Sequence, residues 1–197
     1  MIKRTFDFFA ALTGIAVCAV PLLLLMVWIR RGSPGPAIFA QARVGCLEKP
    51  FVCYKLRTMY CDTGDRPTHE VGASNVTPAG AFLRRTKLDE LPQLINVIKG
   101  ELSLVGPRPC LPSQSELIKA RRQHGVFACR PGITGLAQIR DIDMSVPDVL
   151  AMVDKEYADN LSFIGDLRIL MATLTGAGRG VDRVTGADKS QDTKLRP

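Results

Sequence analysis

Asp89 and Glu90 stand side by side directly behind three cations, Arg84, Arg85 and Lys87. Cations at that spacing favour ionised carboxylates, and the same side chains can hold the phosphates of a substrate. An ionised aspartate beside a bound phosphate is a competent nucleophile. Aspartyl-phosphate chemistry asks for an exposed carboxylate, cations to offset charge on phosphorus, and usually a divalent metal joining the two. The sequence supplies the first two and is compatible with the third. The simpler alternative is a capping role at the start of a helix, with Thr86 three residues ahead of Asp89 and Pro92 in an early turn.

Two further arginines sit in stiff turns, in Gly106-Pro107-Arg108-Pro109 and in Arg130-Pro131-Gly132-Ile133-Thr134-Gly135. Proline limits the conformations of such a turn, so its arginine is preorganised to hold an anion, and nearby glycines let backbone amides approach phosphate. Taken singly, each is more often structural.

Elements must position these groups. Residues Ala37 to Val44 and Pro50 to Thr58, β-branched and aromatic around a polar break, predict a short hairpin. Leu91, Leu94, Ile95 and Ile98 recur at helical spacing and Gly100 supplies a stop, so a helix is expected with the two acids at its start. The same spacing predicts helices over Asp148 to Asn160 and Ile164 to Leu174, packed on the core or on a bilayer surface. Residues 61–79 read as a loop that could act as a lid, and the polar tail from Gly176 reads as disordered. No internal repeat is present.

From Phe8 to Ile29 there are 22 residues without a charge, about 33 Å as a helix and long enough to span a bilayer. Arg30 and Arg31 follow with no small-residue cleavage site, which argues against a signal peptide. Basic residues lie on both flanks, and Pro21 falls mid-run, where it predicts a break or kink. A helix that enters, bends at Pro21 and leaves on the same face fits both facts; a single span with a tolerated proline remains equally open on physics alone.

The formal charge of +7 favours anionic partners. Nucleic acid is the poorer choice: aromatics are 6% of the chain, no reading motif is present, and the apolar segment would be unexplained. Six cysteines without a C-x-x-C pair, and only two histidines, argue against zinc and for reduced cytoplasmic thiols.

Taken in order, the strings Lys55-Leu56-Arg57-Thr58-Met59, Arg84-Arg85-Thr86-Lys87-Leu88-Asp89-Glu90-Leu91-Pro92-Gln93-Leu94, Val105-Gly106-Pro107-Arg108-Pro109, Arg130 to Gln138 and Tyr157 to Asp166 resemble the bacterial sugar transferases known as monotopic phosphoglycosyl transferases, in their small form that consists of the catalytic domain alone. The resemblance covers most of residues 1–175. It implies a re-entrant membrane helix over residues 1–31 broken at Pro21, a catalytic domain over 32–175 and a tail over 176–197. The corresponding fold is α+β and mainly helical, with a small β-hairpin and amphipathic interfacial helices, on the cytoplasmic face of the bacterial inner membrane and in contact with its lipids. It further implies a magnesium-dependent, two-step transfer. Asp89 would attack the sugar-bearing phosphate of a UDP-sugar, release UMP and hold the phosphosugar until polyprenyl (undecaprenyl) phosphate takes it. Asp89 would approach Mg2+, Glu90 would assist in proton handling or positioning, and Lys55, Arg57, Arg84, Arg108, Arg130 and Gln138 would hold phosphate or nucleotide. A homodimer is compatible with this picture.

The chain departs from the family pattern twice. Val20-Pro21 replaces the usual Ser-Pro at the helix break, and Ile139-Arg140-Asp141-Ile142-Asp143 replaces Val-Asn-Gly-Arg after Gln138. The second change brings two acids to the nucleotide side, where they bear on sugar specificity. The competing reading is a non-catalytic membrane protein that holds anionic lipid or a partner in a polysaccharide assembly. The paired acids beside a cationic cluster, which a scaffold does not need, favour the enzyme.

Overall fold

The computed structural model describes residues 2–61 and 75–177. Most of the expected loop and tail therefore lie outside the described residues. The first element, α1 (Ile2–Gly32), is a 31-residue helix, about 47 Å long at its rise per residue. Its most apolar window has a mean hydropathy of 2.5 and is only 6% buried, so the segment is apolar and largely uncovered. Helical structure continues through Pro21, so the chain does not leave the helix at that residue. Proline removes one backbone donor from a ladder that the rest of a long helix maintains.

The two halves of α1 rest on the same body. Near its start, Ala11 packs among Phe51, Cys53, Val97 and Leu102. Near its end, Ile29, with Leu22, Leu25 and Met26, packs against Ala37, Leu56 and Leu83. Polar contacts fix the first turns. Lys3 Nζ lies 2.6 Å from Asp166 Oδ2, Ser103 Oγ donates to Asp7 at 2.7 Å, and Arg4 donates to the carbonyls of Val97 and Ile98.

The hairpin forms as expected, from β1 (Ile38–Val44) and β2 (Pro50–Leu56), antiparallel with Gln41 opposite Cys53 and Val44 opposite Pro50. The next helix, α2 (Pro78–Thr86), was not expected. Thr77 caps it by accepting from Gly80 N, Pro78 opens its first turn, and Lys87 ends it in the left-handed region at φ 57°. The helix α3 (Gln93–Lys99) ends at Gly100, whose φ of 85° suits glycine.

Two three-residue strands, β3 (Ser103–Val105) and β4 (Gly132–Thr134), pair in parallel. Their flanking turns cross closely: a Cβ on Gly132 would lie 2.1 Å from Gly106 N, and one on Gly106 would lie 2.4 Å from Arg130 O. Only glycine fits at either position. Against them pack the single turn α5 (Leu136–Ile139), α6 (Pro147–Asp159) and α7 (Phe163–Leu174), and α4 (Ser115–Gln123) packs on α6. The architecture is α+β and mainly helical. In α6, Leu150, Ala151, Asp154 and Tyr157 turn inward. Ile164, Leu167, Met171 and Leu174 of α7 form a stripe on its exposed side. Phe6 of α1 meets Phe163 edge-on, with ring centroids 5.2 Å apart, so the starts of α1 and α7 meet.

Candidate active site

Between α2 and α3 the chain makes a short 3-10 turn, Leu88–Glu90, entered through the left-handed Lys87. The acids occupy this turn and not the first turn of α3, because Pro92 cannot donate and the helix resumes only at Gln93. Thr86 does not cap them. Its hydroxyl donates back to the carbonyls of Phe82 and Leu83 in α2. Leu88 anchors the turn against the cluster formed by Ile29, Leu56 and Leu83.

Both acids are largely covered, Asp89 at 9% exposure and Glu90 at 7%, so the exposed carboxylate expected for the nucleophile is not what the structure shows. The surfaces that cover Glu90 are cationic. Lys55 Nζ lies 2.6 Å and Arg108 Nη2 3.0 Å from its Oε1. Burial pushes the Glu90 carboxyl up, but Lys55 and Arg108 outweigh it and hold the group at about 2. Glu90 is therefore an anion at neutral pH. Around it opens a small cleft lined by Arg43, Cys53, Lys55, Gln93, Arg108 and Gly132, among others. Lys55 and Arg108 hold the carboxylate and Arg43 lines the same cleft while donating to Pro109 O and Gln41 Oε1, and this excess of positive charge suits a phosphate-bearing ligand. Burial raises the Cys53 thiol above its ordinary range, so this cysteine lines the cleft as a protonated side chain.

The structure thus brings Lys55, Glu90 and Arg108 together, with Asp89 next to Glu90 in the same turn but not among the residues that line the cleft. The other basic candidates do not line this cleft. Arg57, buried, donates to the carbonyls of Ser33 (2.9 Å) and Pro34 and holds the turn that follows α1. Arg84 Nε donates to Thr58 Oγ1 at 3.0 Å. Arg130 Nε donates to Gly100 O at 3.1 Å and lines a separate cavity with Lys3 and Arg4. Gln138 donates to Ile133 O at 3.1 Å, and its buried Oε1 has no hydrogen-bond partner.

Two lining residues carry no role expected from the sequence: Arg43, which lies outside the motifs, and Gln93, which stands within one. The signal for Arg43 is the alternation of the hairpin. Gln41 and Arg43 on β1 oppose Cys53 and Phe51 on β2, so the face that carries Lys55 also carries Arg43. Gln93, 3% exposed, lies three residues after Glu90 on the incoming turn of α3.

Among the described residues no group of three or more His, Cys, Asp or Glu side chains gathers as a cation cage. One or two carboxylates fit a magnesium ion that keeps its waters and takes its remaining ligands from phosphate, the usual manner of magnesium at nucleotide sites.

The sequence model for bacterial sugar transferases matches residues 1–179. The UDP-glucose:undecaprenyl-phosphate glucose-1-phosphate transferase of Caulobacter vibrioides is 40% identical over 181 residues, covering 87% of this chain and 68% of that protein. The exopolysaccharide production protein PSS of Rhizobium leguminosarum bv. phaseoli is 36% identical over 88% of this chain and 94% of its own length. A putative undecaprenyl-phosphate N-acetylgalactosaminyl 1-phosphate transferase of Bacillus subtilis is 45% identical over a shorter stretch of 119 residues, 58% of this chain and 65% of that protein. With the apolar α1, the paired acids and the cationic cleft all inside the matched region, the chain belongs to the bacterial sugar transferase family and is a phosphoglycosyl transferase.

Proposed function

We propose that the protein transfers a phosphosugar from a UDP-sugar to polyprenyl phosphate through a covalent intermediate on Asp89, as an early membrane step of exopolysaccharide synthesis. The observation that carries this reading is the turn Leu88–Glu90, where an ionised Glu90 clasped by Lys55 and Arg108 stands next to Asp89 at a cationic cleft. In the first step a carboxylate oxygen of Asp89 bonds to the sugar-bearing phosphorus, and the bond from that phosphorus to the oxygen bridging to UMP breaks. In the second, a phosphate oxygen of the lipid attacks the same phosphorus and the aspartyl bond breaks, restoring the carboxylate. Lys55 and Arg108 hold the diphosphate, Arg43 extends that surface, and Glu90 fixes the two cations so that they face the phosphorus. Mg2+, held by Asp89 and by substrate phosphates, would offset the charge that gathers during transfer. Arg57 and Arg130 act on the scaffold.

The lipid substrate calls for a membrane surface, and α1 supplies it. Because both halves of α1 are packed on one body, a helix that dips into the inner membrane and returns to the cytoplasmic face suits the molecule better than one that crosses and leaves its domain behind. The exposed stripe of α7 joins the same face.

The test is UMP release from a panel of UDP-sugars with undecaprenyl phosphate, Mg2+ and detergent-solubilised protein, wild type against Asp89→Asn. Release by the wild type and its loss in a folded Asp89→Asn variant are expected. No release from any UDP-sugar would overturn the reading.

A further inference from the structure

We infer that the buried pair Arg121–Asp154, which does not itself line the cleft, is a positioning device that holds the Arg108 backbone and thereby aims the Arg108 guanidinium. The inference rests on the proposed role of Arg108 as a phosphate-holding group.

The segment 107–110 carries two prolines, which have no N–H, so it is held mainly through its carbonyls. Each of four successive carbonyls is taken by a different donor. Gly132 N donates to Pro107 O at 2.9 Å and Val44 N to Cys110 O at 2.9 Å. Arg43 Nη1 donates to Pro109 O at 3.0 Å, and Arg121 Nη1 donates to Arg108 O at 2.8 Å. The first three donors come from strands β1 and β4, at the cleft. Arg121 comes from α4, on the far side of the segment, and is 2% exposed. Arg121 does not line the cleft and acts through Arg108.

The rest of the guanidinium is fixed in turn. Arg121 Nε lies 2.9 Å and Nη2 2.6 Å from Asp154 Oδ2 on α6. One planar fork thus joins α6 to the Arg108 carbonyl, which the point charge of a lysine cannot do in both directions at once. The surroundings are apolar, with Cys110, Leu117, Ala137 and Leu150 in one cluster. Apolar side chains would serve packing alone without the cost of burying a charge pair. The feature they could not supply is the directed hydrogen bond to Arg108 O.

The test uses full-length protein in detergent. Arg121→Lys keeps the charge opposite Asp154, and Asp154→Asn is the second variant should the first not fold. The guanidinium 15Nε resonance of Arg108, assigned by its loss in Arg108→Lys, is expected to shift or broaden in the variants. The kcat for UMP release is expected to fall about tenfold or more, as misplacement of a catalytic contact predicts. In an Arg108→Ala background the same change is expected to have no further effect. An unchanged Arg108 resonance, or an equal factor lost in both backgrounds, would overturn the inference, since either leaves the pair a purely structural contact. A wild type that releases no UMP would count against the proposed reaction instead, and the Arg108 resonance would still decide the positioning role.

Discussion

Glu90 is a carboxylate kept ionised in a nearly closed site by two cations, Lys55 and Arg108. Removing either cation leaves a buried anion short of a partner and takes a positive charge from the cleft. Lys55→Ala and Arg108→Ala are each expected to lower kcat/KM for UMP release by about a hundredfold, the usual scale for a preorganised electrostatic contact, in steady-state assays over the UDP-sugar concentration. Arg57 provides the contrast. Its guanidinium is committed to the Ser33 and Pro34 carbonyls, so Arg57→Ala is expected to lower the melting temperature while kcat/KM of the folded protein stays within about threefold of wild type. The thermal cost should be about 1–3 kcal/mol, the price of the buried Ser33 carbonyl losing its donor. A hundredfold kinetic loss with unchanged melting would place Arg57 in the phosphate site.

Among the elements, α2 and the hairpin both pack on the acid turn, and Leu83, completely buried against Ile29, Ala37 and Leu56, joins them. Leu83→Ala is expected to cost about 2–5 kcal/mol in denaturant unfolding, as core truncations do. The hairpin, α3, α6 and α7 were legible in the sequence because each carries its own local periodicity. By contrast, α2 is nine residues with two arginines and a Pro-Ala-Gly opening, too short and polar to announce itself. The helix α4 is similarly charged, and β3 and β4 are three residues each and meet only through a pairing distant in sequence. The same distinction holds in the site. Lys55, Glu90 and Arg108 could be read from motifs, whereas Arg43 enters through hairpin register. The partners of Arg57 and Arg130 are backbone carbonyls, and which carbonyl lies within reach of an arginine is settled by tertiary packing.

For the whole molecule, the exposed apolar surface is concentrated on α1 and on the stripe of α7, with Val17, Val20, Leu23 and Leu24 between 61% and 71% exposed and Leu174 at 77%. Burial of such a surface in lipid is worth about 25 cal/mol per Å², and this is the face on which the proposed membrane seat is tested. Ile164→Glu with Met171→Glu is expected to weaken flotation with liposomes of undecaprenyl phosphate and anionic phospholipid without lowering the melting temperature in detergent, since neither side chain is packed inside. If α1 enters and returns on one face, tags at the two ends of the chain are both protected from external protease in intact spheroplasts; cleavage of one tag alone would show a crossing. The claim on which the rest depends is the covalent step at Asp89. The direct measurement is the intact mass of the protein after incubation with its UDP-sugar and Mg2+ in the absence of polyprenyl phosphate, followed by mapping of the modified peptide. The account predicts stoichiometric UMP and a phosphosugar adduct on the peptide containing Asp89, absent from Asp89→Asn and discharged by adding polyprenyl phosphate. UMP that appears only when the lipid is present, with no adduct at any stage, would contradict it and show a direct transfer from nucleotide to lipid.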